Sequence, residues 1–248
     1  MENPTVQDIF HSFYLKYLDR YTPSAEQAKV SHCIMNCKTG SYGANVSVCE
    51  DCGHLQIHYN SCRNRCCPMC QALPTEKWMD AQREDVLEAP YFHVVFTVPQ
   101  ELNPLIYCNQ ILLYDALYHS VSSTINELAE DEKYLGAKVG YICILHTWGS
   151  EMNFHPHIHV ILLGGGLTAK NQWRDKGEEF FFPVKVLSKL FRGKYLDELK
   201  TLWKNKKLHF HGSSEKYRNH YAFKELINIC YEKDWIPHCK KAFNGAQS

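Results

Sequence analysis

The sequence predicts an α+β protein in which a cysteine-knuckle module precedes a split βαβ sheet of the ferredoxin-like kind, with helices on one face. Eight of the twelve cysteines lie between Cys33 and Cys70. After residue 90 the pattern changes to strand-like runs, and a long amphipathic stretch separates the first run from the next two. We therefore expect two domains, a helical lead-in with a zinc-ribbon-like module over residues 1–90 and the sheet over residues 91–248.

Composition limits the compartment and the class of protein. No apolar run approaches the roughly 18–20 residues of a membrane span. The N-terminus, Met1-Glu2-Asn3-Pro4, lacks a basic and then apolar signal peptide. We expect a cytoplasmic protein without a membrane partner. In that compartment, clustered cysteines indicate metal binding more often than disulfides.

Two short helices are predicted at the start of the chain, over residues 5–30 and beyond. Large apolar and aromatic side chains recur there at helical spacing. Thr22-Pro23-Ser24 interrupts the pattern, and a second helix is expected from Ala25 toward Ile34.

Two C-x-x-C knuckles follow, and fourteen residues separate them. Each knuckle can direct two thiolates at one Zn²⁺, so the pair predicts a closed structural site with the ligands Cys49, Cys52, Cys67 and Cys70. Further cysteines lie close by in the sequence. A second zinc on Cys37, Cys62 and Cys66 is one interpretation, and free buried thiols are the other.

The sheet is predicted from the order strand, helix, strand, strand. A charged helix over residues 75–87 precedes it. Residues 91–98 are aromatic and β-branched and end at Pro99, which favours a strand. Residues 104–130 form one amphipathic helix in this interpretation. Its apolar stripe consists of Leu113, Leu117, Val121, Ile125 and Leu128.

The next two strands form a hairpin that carries histidines. Residues 141–148 and 155–163 are apolar runs on either side of a turn-rich segment. His157 and His159 alternate with Ile158 and Val160, so both rings project to one face. Pairing His146 with His157 centres the turn near residues 151–152 and adds a third imidazole. The sequence thus predicts a divalent-metal site on His146, His157 and His159.

The rest of the chain, after residue 163, has fewer sequence patterns from which to predict structure. Gly164-Gly165-Gly166 is expected to end the histidine strand. A strand over residues 178–183, helices over 184–203 and 223–231, and a short strand over 235–237 follow. Lysine plus arginine balances aspartate plus glutamate at 27 each, yet residues 185–218 hold ten basic and three acidic residues. That segment could follow a phosphate backbone. A solvated helix face is the alternative.

These motifs resemble a known family. His-apolar-His on a central strand is similar to the HUH endonucleases. More specifically, the rolling-circle transposases of the insertion-sequence ninety-one family are similar to this chain in two segments, Leu145-His146-Thr147-Trp148-Gly149 and His155-Pro156-His157-Ile158-His159. The segments Cys37-Lys38-Thr39 and Tyr59 through Gln71 resemble that family's zinc-binding domain, although the family usually has histidine at the position of Cys66.

The resemblance implies a function and its partners. It implies metal-assisted, tyrosine-mediated nicking of single-stranded DNA at transposon ends, with strand transfer. The implied metals are structural Zn²⁺ and a Mn²⁺ or Mg²⁺ ion at the nuclease site. The resemblance leaves open whether the protein forms a homo-oligomer. The predicted DNA contacts are Arg63, Arg65, Lys204, Lys206 and Lys207. A non-catalytic zinc-containing DNA-binding protein and a metal hydrolase of a small substrate are the alternatives.

The nucleophile is where the sequence departs from the family. The family carries its tyrosines four residues apart on a helix, after a segment that resembles Trp235-Ile236-Pro237 and residues 241–246. We therefore expect the catalytic tyrosines beyond Ser248 and a chain that is inactive alone. Tyr217 and Tyr221 have the same offset, but they precede that segment and lie in a polar stretch. They are not predicted to be catalytic.

Overall fold

A computed structural model describes residues 4–177, 182–235 and 238–244, with side chains up to residue 239. The chain divides into two compact units, Met1–Val86 and Leu87–Ser248.

The N-terminal unit contains three helices and one hairpin. Its elements are α1 Val6–Leu18, α2 Ala25–Asn36, β1 Ala44–Val48, β2 Leu55–Tyr59 and α3 Pro68–Asp85. The two predicted lead-in helices are confirmed, and each begins with a capping box, at Thr5 and at Ser24. Helix α3 begins well before the predicted residue 75. Pro68 occupies its first turn, where the missing proline N–H costs no hydrogen bond.

This unit has a small described core. Its buried hydrophobic residues are Ile34, Cys37 and Cys67, and the exposed fraction of both cysteines is 0%. The side-chain amide of Gln7 on α1 donates to the carbonyl oxygens of Ile34, Met35 and Cys37. It thereby occupies carbonyls that the C-terminal end of α2 leaves without helical partners. Two cysteines therefore lie at the centre of the unit.

The C-terminal unit is built on an antiparallel sheet. Its strands are β3 Pro90–Thr97, β4 Lys138–Trp148, β5 Phe154–Leu167, β6 Trp173–Asp175 and β7 His238–Asn244. The strand order is β4-β5-β3-β7, and the short β6 pairs with the end of β5. The helices are α4 Asn103–Cys108, α5 Gln110–Glu130, α6 Val184–Lys204 and α7 His220–Glu232. This is the predicted split βαβ arrangement, which is confirmed.

Alternation along β3 separates the two faces of the sheet. Phe92, Val94 and Phe96 are buried in the main core, whereas the intervening residues are only partly buried. The predicted apolar stripe of α5 is buried in the same core, and α6 adds Phe191 and Tyr195. The helices therefore cover one face, and the second face is left for polar side chains.

The predicted helix over residues 104–130 is two helices that meet at Asn109. The side-chain amide of Asn109 donates to the carbonyl oxygens of Leu105 and His209, and its oxygen accepts from the His209 N–H. Asn109 has φ −133° and is buried. The helix breaks at Asn109 because its side chain forms hydrogen bonds with the main chain of His209, which is distant in the sequence.

The triglycine segment was predicted to end β5, and this prediction was wrong. β5 continues through Gly164, Gly165 and Gly166 to Leu167, paired with β4 and β6. A Cβ on Gly164 would lie 2.9 Å from the Pro90 carbonyl oxygen, and one on Gly166 would overlap the Lys138 carbonyl group. The glycines are required because neighbouring chains approach closely, and this requirement outweighs their poor strand propensity.

The predictions for the last third of the chain have mixed outcomes. The helices over 184–203 and 223–231 are confirmed as α6 and α7. Of the strand predicted over 178–183, residues 178–181 lie outside the described residues. Trp235 is buried outside any strand and donates from its indole N–H to the Cys230 carbonyl oxygen, and residues 236–237 are not described. The final strand is β7.

Across the described ranges, no helix has both the length and the apolar character needed to cross a membrane.

Gly166 provides a test of the close strand approach. We expect Gly166→Ala to lower the free energy of unfolding by about 1–3 kcal/mol, because the added methyl group overpacks the β4–β5 contact. Gly193→Ala is the matched control. Gly193 lies within α6, nothing would lie within 4 Å of its added Cβ, and alanine is the better helix former by about 1 kcal/mol. Urea unfolding of both variants checks this, and equal stability of Gly166→Ala and wild type would contradict it.

Candidate metal-binding sites

The histidine site lies on the β4–β5 hairpin. His146 pairs with His157 across the two strands, so the predicted register is confirmed. The chain reverses through residues 149–153, where Met152 adopts a left-handed φ of 58°. One ligand nitrogen from each of His146, His157 and His159 lies within 4.8 Å of the other two. The sheet therefore brings all three predicted imidazoles together.

Hydrogen bonding orients His157 for a metal. Its Nδ1 lies 2.7 Å from the carbonyl oxygen of His155, which can only accept, so Nδ1 carries the proton. The lone pair is then on Nε2, which lies 3.0 Å from Nε2 of His159. Two cis ligands held at about 2.1 Å from one ion would be separated by about 3.0 Å. The geometry fits a shared divalent ion.

His146 is held by an aromatic neighbour. Its ring stacks on Trp148, with centroids 4.8 Å apart and planes 17° apart. The indole of Trp148 is itself 49% exposed. His146 is thus oriented by stacking at the turn end of the hairpin.

Electrostatics keep these rings in their metal-binding form. Burial, followed by the neighbouring His146, His157 and His93, lowers the pKa of His159 to about 4. Burial and the adjacent His157 also lower the pKa of His146. Both rings are therefore neutral near pH 7, and the neutral imidazole is the form that binds metals.

His93 was not predicted from the sequence to lie at this site. Its Nε2 lies 2.7 Å from Nδ1 of His159. The alternation of β3 places His93 on the face opposite Phe92 and Val94, and that signal was available in the sequence. That His93 lies beside β5, however, depends on the order of the strands in the sheet, which the local sequence pattern does not predict.

The cysteine site combines residues from three segments. Cys37 follows α2, Cys62 precedes the second knuckle, Cys67 caps α3 and Cys70 lies in its first turn. One sulfur from each lies within 4.8 Å of the others. Sγ of Cys70 is 3.5 Å from that of Cys37 and 3.6 Å from that of Cys62. A tetrahedral Zn²⁺ with bonds of about 2.3 Å would set these sulfurs about 3.8 Å apart.

The structure groups the cysteines differently from the prediction. Cys49 and Cys52 are exposed at the turn of the β1–β2 hairpin, and Cys66 is also exposed. None of these three belongs to a described cluster of three or more ligands. The first knuckle lies about 17 Å from the base of the hairpin, because each of the two strands is five residues long. The base itself is fixed near Cys37 by a hydrogen bond from the Lys38 N–H to the Asn60 carbonyl oxygen. The second knuckle therefore combines with Cys37 and Cys62.

The thiols of this cluster differ in acidity. Burial opposes ionisation of Cys70, but hydrogen bonds from Cys37, Cys62 and the Arg63 N–H outweigh it and lower its pKa to about 7. Burial raises the pKa of Cys37 and of Cys62. Cys70 is therefore the thiol that ionises near neutral pH, and Cys37 and Cys62 require a cation to ionise.

The predicted DNA-contacting side chains are exposed. Arg63 and Arg65 lie in the loop between Cys62 and Cys67, where Arg63 has φ 55°. Lys204, Lys206 and Lys207 lie at the end of α6 and in the turn that follows.

Tyr217 and Tyr221 do not share a helix. Tyr217 belongs to a 3-10 helix over 212–218 and is 8% exposed, whereas Tyr221 lies in α7 and is 81% exposed. Asn219 is extended between them and caps α7. Their four-residue offset therefore does not place both hydroxyls on one helix face.

Comparison with known proteins gives consistent matches along the chain. Residues 9–98 match the family described as "Transposase zinc-binding domain", and residues 140–248 match the family described as "Putative transposase". The chain is 36% identical over 246 residues to the putative transposase y4qJ of Sinorhizobium fredii, covering 98% of this chain and 62% of that protein. It is 33% identical over 144 residues to the transposase of insertion sequence element IS801 from Pseudomonas savastanoi pv. phaseolicola, covering 57% of this chain and 34% of that protein.

The chain thus spans 62% and 34% of the length of the curated relatives it matches. Among solved structures it is similar to the conjugative relaxase TrwC in complex with oriT DNA. The metal-bound complex is 19% identical with a TM-score of 0.36, covering 49% of this chain and 47% of that one. The copper-bound complex is 18% identical with a TM-score of 0.35, covering 44% and 42%. Its two family matches and its transposase relatives fit a transposase of the insertion-sequence ninety-one family, with a transposase zinc-binding domain over residues 9–98.

Proposed function

We propose that this transposase binds single-stranded DNA and acts in metal-assisted, tyrosine-mediated nicking and strand transfer. The observation that supports this most is the convergence of three imidazoles on one sheet face, with a nitrogen from each within 4.8 Å of the others. A bound divalent ion would supply Lewis-acid polarisation of the scissile phosphate. Imidazole ligands favour Mn²⁺ and other transition ions over Mg²⁺.

The protein residues have defined tasks in this proposal. His146, His157 and His159 would hold the ion, so that the phosphodiester would be positioned against a rigid strand pair. A tyrosine hydroxyl attacks the phosphorus, the enzyme becomes joined to the 5′-phosphate, and a 3′-OH leaves. Neither Tyr217 nor Tyr221 is the proposed nucleophile, because one is packed in the core and the two lie on separate elements.

The N-terminal unit is proposed to hold one structural Zn²⁺ on Cys37, Cys62, Cys67 and Cys70. Four thiolates close the coordination shell and leave no position for a substrate. The small described core of this unit supports the proposal, because domains with few buried side chains depend on a metal for stability. A reducing, cytoplasmic location belongs to the proposal, since such ligands must stay reduced.

DNA contact is assigned to the exposed basic side chains. Lys204, Lys206 and Lys207 are solvent-accessible at the end of α6, whereas Lys200 and Lys194 on the same helix pair with Asp197 and Glu127. Exposed cations without such partners are the ones that can replace the counterions of a phosphate backbone. Arg63 and Arg65 project from the loop beside the zinc cluster and would contribute a second set of phosphate contacts.

Two alternative functions predict different results. A non-catalytic DNA-binding protein would bind single strands but would not depend on Mn²⁺ at the histidines. A hydrolase of a small substrate would bind the metal and show no affinity for single-stranded DNA. Binding measurements with and without Mn²⁺ therefore separate the three.

The histidine site is tested by substitution. We expect His157→Ala and His159→Ala each to abolish Mn²⁺ binding and His146→Ala to weaken it, because each removes one of three ligands. Calorimetric titration of the full chain with Mn²⁺ measures this. His119→Ala is the control, since His119 lies on α5 and pairs with Glu198. Mn²⁺ binding by His157→Ala that matches wild type would contradict the assignment.

The zinc ligand set is tested by serine substitutions. Cys37→Ser and Cys70→Ser should lose zinc and unfold the N-terminal unit, because structural zinc contributes directly to folding. Cys49→Ser and Cys52→Ser should retain zinc, since both residues lie outside the cluster. Metal analysis together with limited proteolysis measures both effects. Zinc loss in Cys49→Ser would instead support the two-knuckle arrangement.

The DNA contacts are tested by charge removal. Replacing Lys204, Lys206 and Lys207 by Gln should weaken single-stranded DNA binding and reduce the salt slope by about 0.7 per lost phosphate contact. The matched control replaces Lys133, Lys170 and Lys176, which are also exposed in the C-terminal unit. Fluorescence anisotropy at several salt concentrations gives both quantities. Equal slopes for the two triple variants would contradict the assignment.

A further inference from the structure

A fourth histidine joins the histidine site from the neighbouring strand. His93 lies on β3, where it pairs with Ile161, and Val95 of the same strand pairs with His159. His93 and His159 are therefore on the same face of the sheet and diagonal to one another. Nε2 of His93 lies 2.7 Å from Nδ1 of His159.

The geometry of this contact is that of an in-plane hydrogen bond. The ring planes are within 9° of each other, and the centroids are 5.0 Å apart. The distance between the centroids exceeds the distance between the two nitrogens by about two ring radii, one for each imidazole. The rings consequently lie edge to edge in nearly one plane, with the lone pair of one nitrogen directed at the N–H of the other.

The two nitrogens of His159 face different partners. Its Nε2 lies 3.0 Å from Nε2 of His157, on the side where the ligand atoms converge. Its Nδ1 faces His93. When Nε2 gives its lone pair to an ion, the proton of the neutral ring is on Nδ1 and requires an acceptor. His157 already has the equivalent arrangement, since its Nδ1–H donates to the His155 carbonyl oxygen.

We propose that His93 is a positioning residue of the metal site, which accepts a hydrogen bond from Nδ1–H of metal-bound His159 and fixes that ring's tautomer and orientation. This inference rests on the metal site of the proposed function. Outer partners of metal-ligating histidines typically change metal affinity by about 10- to 100-fold when removed. Strand β3 thereby contributes to a site whose three ligands all come from β4 and β5.

Substitutions at position 93 separate hydrogen bonding from packing. His93→Leu keeps the volume and removes the acceptor. His93→Gln places an amide oxygen near the position of the imidazole Nε2 and can accept the same bond. His93→Asn has the same amide group on a shorter side chain and should not reach His159. His119→Gln controls for the loss of a histidine elsewhere, on helix α5.

The experiment titrates the full-length variants with Mn²⁺ and records the visible absorption of their Co²⁺ complexes. We expect His93→Leu and His93→Asn to bind Mn²⁺ about 10- to 100-fold more weakly and to show altered Co²⁺ spectra. His93→Gln should restore both toward wild type, and zinc content should be unchanged in every variant. Wild-type affinity in His93→Leu would overturn the inference, as would a His93→Gln variant that is as weak as His93→Leu.

The same titrations distinguish this inference from the proposed function. Mn²⁺ binding by wild type that is lost in His157→Ala, together with an unaffected His93→Leu, overturns the role of His93 alone. A wild-type chain that binds no Mn²⁺ at its histidines overturns the proposed metal site and the inference with it.

Discussion

The register of the β4–β5 hairpin is the constraint on which the functional site depends. Side chains alternate with period two, so a slip of one residue would turn His157 and His159 into the helix-covered core. Three features fix the register. Ile158 and Val160 are fully buried on the opposite face, residues 149–153 close the turn, and Gly164–Gly166 allow close approach along the end of β5. Core packing on one face therefore positions the three histidines on the other.

The two candidate metal sites lie in different surroundings. The cysteine cluster is enclosed: Cys37 and Cys67 have no exposed surface, and they form most of a very small core. Metal binding and folding are coupled in such a unit. The histidine cluster lies on a sheet that already has a large apolar core of its own. Its three imidazoles are held in place by the sheet, and an ion that they bound would keep coordination positions for other ligands.

Local pattern predicted most of the fold and the histidine site, because both depend on short-range periodicity. The His146–His157 pairing followed from the symmetry of one turn, and the alternation of β5 set the ring direction. The predictions failed where distant segments meet. The partners of Cys67 and Cys70 depend on the length of the β1–β2 hairpin, and the role of His93 depends on the strand order. At Gly166, likewise, the poor strand propensity of glycine does not end β5, because the close approach of the neighbouring strand requires a glycine there.

In the proposed function, the three histidines hold a divalent ion at which a DNA phosphate is bound. Pulsed electron paramagnetic resonance of the Mn²⁺-loaded chain examines this arrangement, because nuclear couplings identify the atoms around the ion. We expect ¹⁴N couplings from imidazole ligands that disappear in His157→Ala, and a ³¹P coupling that appears when single-stranded DNA is added. Mn²⁺ that shows only water-proton couplings, or no ³¹P coupling with DNA bound, would contradict it.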